Sequence, residues 1–139
     1  MLIRQFDPED TEAVVALWQE CGLTRPWNDP HRDIERKVTR DPEGFLVGEA
    51  DGRIVASAMI GYDGHRGWIY YLAVSPDQQG QSLGRALMAE AEARLLALGC
   101  PKVNLQVRSG NEAVIAFYRA LGYTEDATVS LGKRLIPDV

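Results

Sequence analysis

Cysteine, histidine, positive charge and long apolar runs are all scarce in this chain of 139 residues. The only cysteines, Cys21 and Cys100, stand far apart and form no CxxC pair. Neither a disulfide framework nor a zinc site is therefore expected, and two free thiols fit a reducing compartment. No segment approaches the about twenty apolar residues of a membrane span. The start, Met1-Leu2-Ile3-Arg4-Gln5-Phe6-Asp7, lacks the apolar region of a secretory signal, so the chain reads as cytoplasmic. Fifteen basic residues face twenty acidic ones, a net charge of −5. That balance argues against broad nucleic-acid binding, which needs a basic face to displace counterions, and is compatible with cationic acceptors such as amines. Neither GxGxxG after a strand nor GxxxxGK[ST] occurs, which disfavours dinucleotide and nucleoside-triphosphate sites. Without repeats, low-complexity tracts or long linkers, residues 1–139 read as a single domain.

What is present alternates between strand and helix periods. Leu2 to Phe6 predicts a strand, and Asp7-Pro8-Glu9-Asp10 a helix start with acidic residues in the first turn. Val14, Leu17, Trp18 and Cys21 recur at helical spacing before Gly22. After the loop Thr24–Pro30, Asp29 is placed to cap a second, charged helix with Pro30 at its first position. Phe45–Ala50 and Arg53–Gly61 read as strands joined by Asp51-Gly52, a strong two-residue hairpin signal. Trp68–Val74 is apolar or aromatic throughout, as a central strand covered on both faces would be. A long helix over Leu83, Leu87, Ala91, Leu95 and Leu98, an alternating strand over Lys102–Arg108 and a helix over Asn111–Leu121 follow. The tail, about Tyr123 to Ile136, suggests one or two more strands. The order β α α β β β α β α β predicts an α/β (α+β) fold with one mixed sheet covered by helices.

The stretch Leu72-Ala73-Val74-Ser75-Pro76-Asp77-Gln78-Gln79-Gly80-Gln81-Ser82-Leu83-Gly84-Arg85 carries the chemistry. A buried strand ends there, a short loop follows and a helix begins near Ser82. Unpaired backbone N–H groups from Gln79 to Gly84 could converge on an anion, as a diphosphate requires. The bland alternative is an ordinary loop-to-helix junction. Gly80-Gln81-Ser82-Leu83-Gly84 also matches GxSxG, the nucleophile elbow of serine hydrolases. That elbow sits at a sharp strand–helix junction and is followed in the chain by its histidine. Here Ser75 to Gln79 intervene, and His31 and His65 both precede Ser82, so a hydrolase is disfavoured.

With Val74-Ser75-Pro76 leading into Gln79-Gly80-Gln81-Ser82-Leu83-Gly84, the stretch resembles the [RQ]xxGx[GA] coenzyme A motif of the GNAT superfamily of N-acetyltransferases. A second signature of that family, N-x-x-A-x-x-x-Y-x-x-x-G-[FY], is similar to the run Asn111 to Tyr123, through Asn111, Tyr118, Gly122 and Tyr123. The chain further resembles the bacterial YpeA-type acetyltransferases through Arg25–Pro30, Gly61–Gly67 and Leu131–Ile136. The resemblance implies a mostly antiparallel mixed sheet of about six to seven strands with about four flanking helices. It implies acetyl-CoA as cosubstrate and no metal, with Leu72, Ala73, Val74, Gln79, Gly80, Gln81, Ser82, Leu83, Gly84, Arg85, Asn111 and Tyr118 binding it. Tyr118 is the implied general acid for the departing thiolate, and Leu72 lies where backbone N–H groups meet the thioester carbonyl. A homodimer is a family-level expectation.

Ser82 stands where the family usually has glycine. Two readings are open: a position of positive φ, where a Cβ costs energy, or an N-cap, where serine is among the best residues. The N-cap is the favoured one. Glu49, Asp63, His65 and Tyr70 are candidate bases, each equally explained as a solvated hairpin or hydrogen-bonded strand residue. Trp27, Asn28 and Asp29 fall where the family shapes its acceptor pocket. An α-amino acceptor, with pKa of roughly 8, needs less help from a base than a lysine near about 10.4. The functional expectation is acetyl transfer from acetyl-CoA to a primary amine, on a small molecule or a protein N-terminus, by direct attack. A non-catalytic CoA-binding sensor or scaffold is the alternative.

Overall fold

The computed structural model describes residues 1–80 and 82–139. Its elements are β1 (Leu2–Gln5), α1 (Thr11–Glu20), α2 (Pro30–Arg40), β2 (Phe45–Ala50), β3 (Arg53–Tyr62), β4 (Gly67–Val74), α3 (Leu83–Ala97), β5 (Val103–Leu105) and α4 (Glu112–Ala120). The sheet order is β1-β2-β3-β4-β5, with antiparallel neighbours except for the parallel β4–β5 pair. β2, β3 and β4 follow one another through short connections, β1 reaches β2 through α1 and α2, and the parallel β4–β5 pair is bridged by the α3 crossover.

Local chemistry places these elements. Asp7 accepts from Glu9 N–H, and Asp10 reaches back to Asp7 N–H, closing a capping box before α1. Asp29 caps α2 by accepting from His31 and Arg32 N–H groups, with Pro30 at the first position. Asp51 and Gly52 both take positive φ, 53° and 71°, as the β2–β3 hairpin requires.

Each sheet face carries its own core. On one side Leu87, Met88, Ala91 and Leu95 of α3, with Tyr118 of α4, pack on Leu46, Ala56, Ala58, Ile60 and Ile69. On the other, Val14, Val15, Leu17 and Trp18 of α1 and Ile34 of α2 pack on Phe45, Val47, Met59 and Ala73. Each fully buried leucine or methionine stabilises the fold by about 1.5–3 kcal/mol relative to exposure. Leu98, grouped with the buried stripe on sequence, is 64% exposed because α3 ends before it.

The strand count is lower than the sequence suggested. β5 keeps only Val103–Leu105 of the expected Lys102–Arg108, and no strand follows α4 among the described residues. The tail is fastened by side chains instead of a ladder: Lys102 and Asn104 to Asp126, and Gln106 to Ser130. Its apolar residues Val129, Leu131 and Leu135 are exposed, so the expected strands have no core to face. No described helix is long and apolar enough to cross a membrane.

Candidate active site

β4 and β5 share only three register pairs, Gly67–Val103 to Ile69–Leu105, and then separate. Toward β3 the register also slips: Met59 faces Tyr70, while Ser57 faces Ala73, so β4 holds one extra residue between them. That residue set forms a β-bulge, and Tyr71 within it adopts φ 52°. The bulge resets which side chains face where. Ile69, Leu72 and Val74 all contact the α3/α4 core, whereas Tyr71 and Ala73 turn to the α1/α2 core. Ser75 N–H donates to Val55 O, so by strand alternation Ala73 and Ser75 address β3. Leu72 and Val74 then direct their N–H groups to the edge that β5 has left. The Val74 carbonyl on that edge accepts from Cys21 Sγ at 3.3 Å and Gln79 Nε2 at 3.1 Å.

The loop after β4 leads onto α3. Gly80 takes φ 85°, and a Cβ there would meet nothing within 4 Å, so its requirement is conformational. Gly84 is the reverse case: a Cβ would stand 3.1 Å from Phe117 Cζ, so this glycine lets α4 lie close to α3. Ala86 N–H makes the bond to Ser82 O, which leaves the amides of Leu83, Gly84 and Arg85 as the first-turn donors without an intrahelical acceptor. Gln81 lies outside the described residues. Ser82 does not behave as the favoured N-cap. Its backbone is left-handed, φ 62° and ψ 20°, and its side chain makes no capping hydrogen bond, whereas an N-cap serine is extended and accepts one. The positive-φ reading is the one realised.

Asn111 accepts from Val114 N–H at 3.4 Å and so caps α4. Tyr118, on that helix, is 9% exposed and edge-on to both Phe117 and Tyr123. Burial pushes its phenol up to about 12, which keeps the proton on oxygen at neutral pH. A cleft of about 1010 Å³ lies between β5, α4 and the tail, bordered by Tyr118, Leu105, Val107, Ile115 and Val129. Of the expected site residues only Tyr118 lines it. From β4 it is bordered by Trp68, while Leu72, Val74 and the loop into α3 do not line it.

The candidate bases are already occupied or poorly suited. Glu49 accepts from Arg4 Nε at 3.0 Å. Asp63 accepts from the N–H groups of Arg66 and His65, which hold its carboxyl below the usual range. His65 sits in that same exposed turn. Tyr70 is half-exposed, and its phenol is raised by partial burial and by the Asp63 charge. Of the residues expected to shape an acceptor pocket, Trp27 is 51% exposed, Asn28 accepts from Arg134, and Asp29 donates its N–H to Asp138 Oδ2. Among the described residues no group of three or more His, Cys, Asp or Glu is placed to hold a metal.

Sequence reasoning missed the residues behind the bulge. The Tyr71 ring stacks on Trp18 with centroids 3.8 Å apart, and its hydroxyl donates to Asp33 Oδ2 at 2.7 Å. Ser57, fully buried, bonds to both Trp18 and the Tyr71 carbonyl. No glycine or proline marks Tyr71, so nothing in the residue types announced a bulge there.

Comparison with known proteins bears on this arrangement. The model of the acetyltransferase (GNAT) family matches residues 9–123. An acetyltransferase of Yersinia pestis (strain Pestoides F) is 54% identical over 138 residues, covering 99% of this chain and 98% of its own. The crystal structure of Ard1 from Thermoplasma volcanium superposes with a TM-score of 0.81 at 28% identity, covering 91% of this chain and 84% of the other. That of the ribosomal-protein-alanine N-acetyltransferase from Brucella melitensis gives 0.72 at 26%, covering 88% and 83%. A bulged, splayed central strand feeding a helix start thus occurs in a chain that belongs to the GNAT family of acetyltransferases.

Proposed function

We propose that this acetyltransferase moves the acetyl group of acetyl-CoA to a primary amine by direct attack. The observation that carries the reading is the juxtaposition of two sets of backbone donors. The freed β4 edge offers the N–H groups of Leu72 and Val74, and the loop that follows ends on the open amides of Leu83, Gly84 and Arg85. The second set fits a diphosphate, with Gln79, Gly80 and Ser82 shaping the loop before it. The first fits a pantetheine arm and thioester carbonyl lying along the strand edge. Asn111 and Tyr118, at the start and middle of α4, are assigned to the cofactor side by the family signature that they carry.

In the reaction a neutral amine forms the C–N bond as the C–S bond breaks. The amine nitrogen releases one proton to solvent water, the thiolate gains one from Tyr118, and the phenolate regains its proton from solvent after turnover. Leu72 N–H stabilises charge on the carbonyl oxygen, and Tyr118 supplies the proton to sulfur. The water-poor surroundings that raise the phenol also raise the basicity of a thiolate beside it, which keeps the transfer feasible. Glu49 and Asp63 are engaged by Arg4 and by backbone N–H groups, and neither His65 nor Tyr70 is singled out as a base, so an acceptor already partly neutral at pH 7, such as an α-amino group, suits the reading best. The Brucella melitensis protein is named for a protein alanine acceptor, in the same direction.

Tyr118→Phe tests the reading directly. Turnover of acetyl-CoA with a panel of small amines and peptides, followed by free thiol, should fall about a hundredfold while acetyl-CoA affinity by calorimetry is kept. Equal turnover in the variant removes Tyr118 as the acid. Saturable acetyl-CoA binding by the native chain without transfer to any acceptor would instead favour a sensor or scaffold role.

A further inference from the structure

Ser57 lies fully buried in the middle of β3, a position where a strand ordinarily places an apolar side chain. Its hydroxyl has two partners, both at 2.9 Å: Trp18 Nε1 and the Tyr71 carbonyl oxygen. An indole N–H can only donate, so Ser57 Oγ accepts from Trp18 and its single proton is committed to Tyr71 O. The direction of the chain is therefore fixed without ambiguity of rotor.

The Tyr71 carbonyl and the Leu72 N–H belong to one planar, trans peptide unit, in which the two groups point in opposite directions. A donor that grips the carbonyl from the β3 side thereby sets the aim of the N–H toward the opposite, open edge. Hydrogen bonds in series also polarise one another, so the same grip makes Leu72 N–H a stronger donor. The Tyr71 ring, stacked on Trp18 and tied to Asp33, stops this unit from rotating out of the left-handed conformation.

We infer that Ser57 and Trp18 are positioning residues for acetyl transfer: the relay Trp18 N–H to Ser57 Oγ–H to Tyr71 C=O aims and polarises Leu72 N–H at the thioester carbonyl. This rests on the acetyl-CoA reading above. Neither side chain reaches the substrate; both act through one peptide plane.

The test uses the full-length protein with acetyl-CoA carrying carbon-13 at the thioester carbonyl, read by infrared difference spectroscopy. Native protein should bind it and shift the carbonyl stretch to lower frequency. In Ser57→Ala and in Trp18→Phe, which keeps an aromatic ring against Tyr71, calorimetric affinity should change less than about twofold while that shift shrinks. Acceptor-free hydrolysis of acetyl-CoA should slow about tenfold, less than the loss of a whole oxyanion donor. Ser57→Cys, with a weak S–H donor of similar size, should restore part of the shift. If Ser57→Ala does not fold, Trp18→Phe carries the test alone. An undiminished shift in variants that bind overturns the relay and leaves the cofactor site standing. Failure of the native protein to bind acetyl-CoA overturns the site itself and the relay with it.

Discussion

Tyr71 in β4 and Ser82 before α3 share a backbone conformation that L-residues avoid, with φ of 52° and 62°. Their surroundings could hardly differ more. Around Tyr71 a stacked indole, a carboxylate and a buried hydroxyl converge, whereas the Ser82 side chain makes no capping bond. A left-handed residue costs about 1–2 kcal/mol in either place. At Tyr71 the side chain repays that cost, so the residue type is needed; at Ser82 the position demands a conformation and is indifferent to the side chain.

The comparison can be broken by giving both positions glycine. Tyr71→Gly removes the strain but also the stack and the Asp33 bond, and should destabilise by about 2–4 kcal/mol in urea denaturation, near the range for truncating a large aromatic. A neutral outcome would mean that the bulge stands without its side-chain clamp. Gly80→Ala, next in size, imposes a Cβ on φ 85° with no clash to worsen it, and should cost about 1–2 kcal/mol. Ser82→Gly should go the other way, raising stability by up to about 1 kcal/mol and keeping acetyl-CoA affinity. A fall in affinity would show that the hydroxyl itself contributes.

The mildest effect is confined to acid. Asp138 is enclosed, and the Arg36 guanidinium, followed by Asp29 N–H, lowers its carboxyl to about 2. A folded pKa below the unfolded one means stability that is present above about pH 4 and lost as pH falls toward 2. Asp138→Asn should therefore lower stability at neutral pH and flatten its loss between those values, as followed by denaturant titration at each pH. An unchanged acid profile would remove this carboxylate from the account.

These positions also show where the sequence was readable. Asp29-Pro30 and Asp51-Gly52 gave a cap and a hairpin because their side chains act on their own neighbourhood. The loop from Gln79 to Gly84 was legible as a loop leading into a helix start for the same reason, since glycines and a helix start are local features, and its role as an anion cradle belongs to the proposal. Tyr71 was not legible, because its conformation is imposed by Trp18, Ser57 and Asp33, far away in the chain. Ser82 misled since serine favours N-caps on average, while this turn calls for positive φ. The tail misled in the opposite way: about Tyr123 to Ile136 suggested one or two more strands, but β5 ends at Leu105 and offers too short an edge to pair with.

Gly84 has one more effect. Where any other residue would carry a methylene, α3 accepts the Phe117 ring, and Phe117 is the chain neighbour of Tyr118. The helix that begins with the amides proposed for the diphosphate and the helix that bears the phenol are thus keyed together by a single omitted carbon. On the proposed reading their separation works as a gauge: a ligand has to touch the first while its reactive end reaches the second, so a shorter thioester would be gripped at one end only.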